Sequence, residues 1–173
     1  RGPAKVAVVS SGLFGMLSGS PTADVVTTGS VTIPVMQKLG YSPRLAGAIE
    51  VAASTGGSIL PPVMGAAVFI MAEFTGISYL EIVFAALISA ILYYISVFLQ
   101  VDLRSRRLGV GNLDPDDLPR AGKVLRDGWP FIVPLVVLTG ALVMHFSPTY
   151  VALYGTVALL GTWVFRWKSF SLK

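Results

Sequence analysis

The chain contains no cysteine and a single histidine, His145. Those counts exclude a disulfide framework, a thiolate zinc site, a cysteine nucleophile and a multi-histidine metal centre. Charge is scarce too: 13% of the 173 residues are charged, against about 25% in soluble domains. No P-loop is present, so the chain has no ATP motor of its own, and Gly109-Val110-Gly111 lacks the rest of a dinucleotide fingerprint. The chain starts with Arg1 and shows no apolar run ending in a small-residue cleavage site, so an internal fragment without a signal peptide is expected. What is abundant is apolar: 54% hydrophobic residues and a mean hydropathy of +0.74 rule out an ordinary soluble domain.

The net charge of +4 does not point to nucleic acid, because the basic residues stand between apolar segments rather than on one face or among aromatics. That placement is how membrane proteins distribute lysine and arginine. A transmembrane helix needs about 20 mostly apolar residues. Residues 81–101, with the uncharged run from Ile82 to Val101, meet that need and lead into Asp102, Arg104, Arg106 and Arg107. Residues 129–167 read as an antiparallel pair of spans, Trp129 to Phe146 and Pro148 to Phe165. Residues 102–128 read as a polar cytoplasmic loop with a short interfacial helix from Pro119 to Asp127. Trp129, Trp163, Trp167, Tyr150 and His145 read as interfacial residues near span ends.

The first 80 residues are apolar but interrupted. Two segments, Val6 to Leu17 and Ala23 to Gln37, would reach only about 18 to 22 Å as helices, short of a hydrocarbon core of about 30 Å. Ser18-Gly19-Ser20-Pro21-Thr22 joins them without a charge, so residues 4–38 are expected to form a re-entrant hairpin. Residues 43–75 would make a helix of about 50 Å, far more than a span needs. The run from Ser54 to Pro62 carries Gly56, Gly57, Pro61 and Pro62 and is expected to break it into two half-helices. With the hairpin entering and leaving on one face, all 13 lysines and arginines fall on the cytoplasmic side.

Non-helical backbone inside a bilayer persists only where it is buried in protein or lines a cavity. A hairpin tip and a helix break, both rich in Ser, Gly and Thr, offer hydroxyl and carbonyl oxygens to a hard monovalent cation and helix N-termini to an anion. Asp24, one turn past the tip, suits a helix N-terminus and is also a candidate cation ligand.

The segments SGSPTADVVTTGSVTIPVMQKLGY (18–41) and AGAIEVAASTGGSILPPVMGAAVFIMAEFTG (46–76) closely resemble the large membrane subunit of the tripartite ATP-independent periplasmic (TRAP) transporters, particularly the type with fused small and large subunits. The resemblance implies an all-α polytopic membrane protein comprising a re-entrant hairpin, a broken helix and three further transmembrane helices. Such a chain would hold about half of an inverted-repeat, elevator-type transport core in the bacterial inner membrane. It further implies sodium-coupled uptake of carboxylates delivered by a periplasmic solute-binding protein. The expected partners are that protein, the remainder of the permease with a second hairpin, and the lipid bilayer. Carried over residue by residue, the sodium site comprises Ser18, Ser20, Thr55, Gly57, Leu60 and Pro62, with backbone oxygens contributing near Gly57, Leu60 and Pro62. Thr22, Asp24 and Ser58 are expected on the substrate side. Asn is common in the fused type where this chain has Asp24, and Gln where it has Ser58.

Plainer roles compete at several positions. Glu50 is an intramembrane carboxylate, a functional candidate by default, but pairing with Arg44 or reaching the interface would also account for it. Glu73 and Glu81 read as solvated. Gly12, Gly15 and Gly19 read as a stripe that lets another helix approach. The competing function is a membrane scaffold or assembly subunit without a solute site, in which the breaks only shape packing.

Overall fold

The computed structural model describes residues 2–110, 133–144 and 146–170. Among them every regular element is a helix. One compact unit, Arg1–Asp117, contains α1 (Gly2–Ser18), α2 (Pro21–Thr27), α3 (Gly29–Lys38), α4 (Pro43–Gly57), α5 (Ala66–Thr75) and α6 (Tyr79–Leu108). The other, Leu118–Lys173, contains α7 (Val133–Val143) and α8 (Pro148–Phe170).

Local chemistry sets the helix starts. Ser20, Ser42 and Ser78 stand in extended backbone, and their hydroxyls accept from the amides of Ala23, Leu45 and Glu81. Pro21 and Pro43 follow where a helix would leave an N–H unpaired anyway. Gly109 ends α6 in the left-handed conformation, φ 66°, which a residue without Cβ adopts freely.

In an apolar solvent helices gain nothing by burying apolar faces, so they hold together by close packing and hydrogen bonds. The buried side of α1 is accordingly small, with Ala4, Ala7, Ser11 and Gly15, and α4 meets it with Ala46, Ala53, Ser54 and Gly57. A Cβ on Gly57 would stand 2.5 Å from Cα of Gly15, so the two backbones touch. Gly12 and Gly56 leave slots filled by the rings of Tyr94 and Tyr93. The hydroxyls of those tyrosines donate to the carbonyls of Ala53 and Ala52, at 2.8 Å each, and hold α6 on α4. Tyr41 and Ser105 share a hydrogen bond of 2.7 Å.

α2 and α3 form the second arm of the hairpin, nicked at Thr28, whose helical dihedrals keep the direction of the chain. The first arm is longer than its apolar run suggested, 17 residues or about 26 Å. Pro3 is tolerated in a first turn, and Lys5 is held by Asp102 at 2.5 Å rather than ending the helix. α6 is also longer than expected, 30 residues, so residues 102–108, expected in the polar loop, are helical. Asp102 bonds Arg106 one turn on, at 2.6 Å, and such i, i+4 pairs favour continuation.

Among the described residues α6 is the one helix long and apolar enough to cross a membrane. Phe84 and Ile88 are each 68% exposed, a bare face suited to lipid or further helices. In the second unit, Leu138 of α7 packs on Gly155 of α8, where a Cβ would stand 2.7 Å from the leucine Cδ2. Of the pair expected at 129–146 and 148–165, the described helices cover 133–143 and 148–170, the second running on past Arg166 and Lys168. The interfacial helix expected at 119–127, Trp129 and His145 lie outside the described residues.

Replacing Gly57 with Ala must push α4 off α1 and is expected to cost about 1–3 kcal/mol. Gly47→Ala, on the same helix with nothing within 4 Å of its added Cβ, is expected to be neutral or to gain up to about 1 kcal/mol from helix propensity. Thermal unfolding of the full-length protein carrying each substitution checks the contrast.

Candidate functional site

The hairpin tip abuts the helix break. Gly19 turns the chain with φ 62°, and a Cβ there would overlap the carbonyl oxygen of Met64 and lie 3.1 Å from Cα of Gly65. A Cβ on Gly65 would face Gly19 O at 3.4 Å and Ser58 O at 3.5 Å. Carbonyls from both breaks therefore converge on one place.

The break runs between Gly57 and Ala66. Pro61 and Pro62 have no N–H to return to the carbonyls of Gly57 and Ser58, so the α-helical ladder cannot pass through them. The amides of Ser58, Ile59 and Leu60 instead bond to carbonyls three residues back, at 3.1–3.3 Å, a tightened last turn. Gly65 N donates to Ser58 O at 2.8 Å. Tyr79 OH lies 2.7 Å from both Pro62 O and Val63 O and can donate its one hydrogen to either, and its ring stacks on Phe69 at 4.9 Å.

Two carboxylates are fully buried between the hairpin and α4, Asp24 and Glu50. Asp24 Oδ1 accepts from Ser18 Oγ in a short bond, and Ser18 Oγ in turn accepts from the Ser20 amide at 3.1 Å. Asp24 Oδ2 has no hydrogen-bond partner, and neither has the buried Ser54 Oγ. A Cβ on Gly15 would stand 2.7 Å from Asp24 Oδ2, 2.7 Å from Gly57 Cα and 3.4 Å from Ser54 O. The orphaned carboxylate oxygen thus lies against the Gly15–Gly57 contact, close to the carbonyl of Ser54. Buried polar atoms without partners are uncommon in folded proteins and call for an explanation.

Glu50 is fully served. Ser11 Oγ and Thr28 Oγ1 donate to Oε1, and Thr32 Oγ1 donates to Oε2, each at 2.5 Å. It neither pairs with Arg44 nor reaches an interface, because α4 turns it inward between α1 and α3. Sequence reading left Ser11, Thr28 and Thr32 unnoticed. The spacing of four between Thr28, which caps α3, and Thr32, with one intramembrane acid nearby in sequence, was the available signal.

The residues expected at the site are distributed unevenly. Ser18, Ser20, Asp24, Gly57 and Ser58 lie at the tip, the break or their contact. Thr55 is exposed and spends its hydroxyl on Val51 O at 2.7 Å. Thr22 is exposed. Leu60 lines an apolar groove with Val8, Leu13 and Tyr94. The carbonyl of Pro62 is engaged by Tyr79. Glu73 and Glu81 are exposed. The glycine stripe meets three neighbours rather than one helix: Tyr94, Gly57 and the Met64–Gly65 backbone.

The family description "Tripartite ATP-independent periplasmic transporter, DctM component" matches residues 1–173. The chain belongs to this family. UehC of Ruegeria pomeroyi, an ectoine/5-hydroxyectoine TRAP transporter large permease protein, is 29% identical over 92% of this chain and 37% of its own length. DctM of Vibrio cholerae, a C4-dicarboxylate TRAP transporter large permease protein, is 27% identical over 90% of this chain and 34% of its own length. An uncharacterised Salmonella typhimurium protein, YgiK, is 27% identical over 82% of this chain and 33% of its own length. The chain therefore spans roughly a third of the curated relatives it matches. No solved structure matches it.

In this TRAP-family chain the tyrosine clasp on the break is directly testable. Tyr79→Phe removes the donor available to Pro62 O or Val63 O and is expected to lower stability by about 1–3 kcal/mol. Tyr150→Phe, at a position 57% exposed, is expected to leave the unfolding temperature unchanged.

Proposed function

We propose that this chain is part of the permease of a secondary active transporter that couples sodium entry to import of organic acids. In this reading a periplasmic binding protein hands over the solute, and the ion sits where the hairpin tip meets the helix break. One observation carries the reading: a fully buried carboxylate, Asp24, keeps one oxygen without a partner at the contact between hairpin and broken helix. A buried charge left in that state is costly, and a cation beside it removes the cost.

The donors suit a hard monovalent ion. Among the described residues no group of three or more His, Cys, Asp or Glu could hold a metal. The junction instead offers one carboxylate, hydroxyls and carbonyls. Asp24, Ser18, Ser20 and the oxygens around Ser54 and Gly57 would hold sodium, which supplies the positive charge that offsets Asp24. Thr55, Leu60 and Pro62 belong to the wider site as the resemblance implies it, and Thr22 and Ser58 to the solute side. By ordering the tip against the break, the ion makes solute binding more favourable, which is coupling by differential affinity.

The relatives' names support solutes of this class: one is named for C4-dicarboxylates and another for ectoine. Inverted-repeat architecture, an elevator movement, an inner-membrane location and a second hairpin in the rest of the permease complete the proposal. The solute then lies at the interface between repeats, and the fragment alone is not expected to transport.

The test is thermal unfolding of the full-length protein in sodium against equimolar potassium. A sodium-specific rise is expected, about 2.7 kcal/mol at a hundredfold excess over Kd. Asp24→Asn is expected to remove most of it while raising stability in sodium-free medium, because the amide no longer buries a charge. Equal unfolding temperatures in the two salts would overturn the sodium site and favour a scaffold role.

A further inference from the structure

We propose that Glu50 is a proton-binding site, enclosed by α1, α3 and α4, whose hydroxyl cage is built to serve both the charged and the neutral carboxyl group. The site stands apart from the sodium reading, since it uses none of the side-chain oxygens assigned there.

Glu50 is fully buried, and Gly29 makes room for it, a Cβ there lying 3.0 Å from the glutamate Cγ. None of the ion pairs formed by the described residues involves it. Its surroundings on every packed element are accounted for. On α1, Lys5 is taken up by Asp102 of α6. Lys38 and Arg44 are exposed at the ends of α3 and α4. On α6, Tyr93 and Tyr94 donate to the carbonyls of Ala52 and Ala53, Arg106 pairs with Asp102, and Arg104 and Arg107 are exposed. Tyr41, before α4, is bonded to Ser105. Asp24 on α2 is the remaining charged neighbour, and it carries the same sign.

The cage has two complete hydrogen-bonding arrangements. Besides Glu50, each hydroxyl has a second partner in reach: Thr28 Oγ1 lies 2.7 Å from Asp24 O, Thr32 Oγ1 lies 3.0 Å from Thr28 O, and Ser11 Oγ lies 3.0 Å from Thr28 Oγ1. A hydroxyl has one hydrogen and cannot donate to both partners at once. With Glu50 ionised, all three hydrogens point to the carboxylate, while the carbonyls of Asp24 and Thr28 keep the amides of Thr28 and Thr32. With one proton taken up from water, the new O–H donates to Thr32 Oγ1. The hydroxyls of Thr32 and Thr28 turn back to the two carbonyls, and Ser11 continues to serve Oε1. No polar atom of the cage is orphaned in either state, and that is the observation that carries the proposal.

Protonation reduces the bonds tying α1 and α3 to Glu50 from three to two and removes one of two neighbouring like charges. The packing of hairpin on broken helix thereby becomes linked to pH. Thr28 lies at the nick between α2 and α3, so the change acts at the least regular point of that arm.

Infrared difference spectroscopy of the full-length protein across pH tests this. A protonated-carboxyl C=O band is expected to appear reversibly as pH falls, to vanish in Glu50→Gln and to persist in Asp24→Asn. Thr28→Val removes a donor that serves Glu50 in the ionised form alone, so the band is expected at higher pH, with proton affinity raised about tenfold. This second variant keeps Glu50 and its other two donors, and decides the matter if Glu50→Gln fails to fold. Absence of a pH-dependent band in the wild type, its survival in Glu50→Gln, or an unshifted band in Thr28→Val would overturn the proposal.

Discussion

The rest of the structure depends on the meeting of two glycines, Gly15 and Gly57, at van der Waals closeness. That contact lets α1 and α4 pack backbone on backbone, and in lipid such packing is the main attraction available between helices. It also closes the space around Asp24, whose free oxygen lies against it, and draws the hairpin near enough for Ser11, Thr28 and Thr32 to reach Glu50. Side chains at either glycine would leave the carboxylates in a gap rather than in an enclosure.

The two acids illustrate different solutions to the same difficulty. A charge removed from water must be compensated by hydrogen bonds, by an opposite charge or by a proton. Glu50 has hydroxyls on both of its oxygens, and those hydroxyls have alternative acceptors. Asp24 has a single hydroxyl and an oxygen with nothing opposite. The first arrangement is complete within the protein, and the second leaves one oxygen of Asp24 unserved. Both lie between the hairpin and the broken helix, so a change at either alters how those elements hold each other.

Backbone satisfaction explains why the breaks meet. The residues from 58 to 65 cannot complete an α-helical ladder, and in hydrocarbon their carbonyls would be stranded. Tyr79, the Ser58–Gly65 bond and the tip at Gly19 supply the missing company. An interruption isolated in lipid would be unfavourable; two interruptions facing each other share the burden and create a polar place.

The helical character, the hairpin with its tip at Ser18 to Thr22, and the break around Gly57 to Pro62 were legible in the sequence, because glycine, proline and serine act on their own backbone and need no neighbour to do so. The ends of α6 and α8 were misjudged, since charged residues end an apolar run without ending a helix; Asp102 stays helical because Lys5 and Arg106 hold it. Of the candidate site, the placement of the tip serines and Asp24 at the turn follows from local sequence. That Thr55 turns away, that Pro62 O is claimed by Tyr79, and that Glu50 faces Ser11, Thr28 and Thr32 depend on rotation and spacing between helices distant in sequence. Chain-local stereochemistry decided where this protein bends; only packing decided which oxygens face one another, because that is set by contacts the linear order does not record.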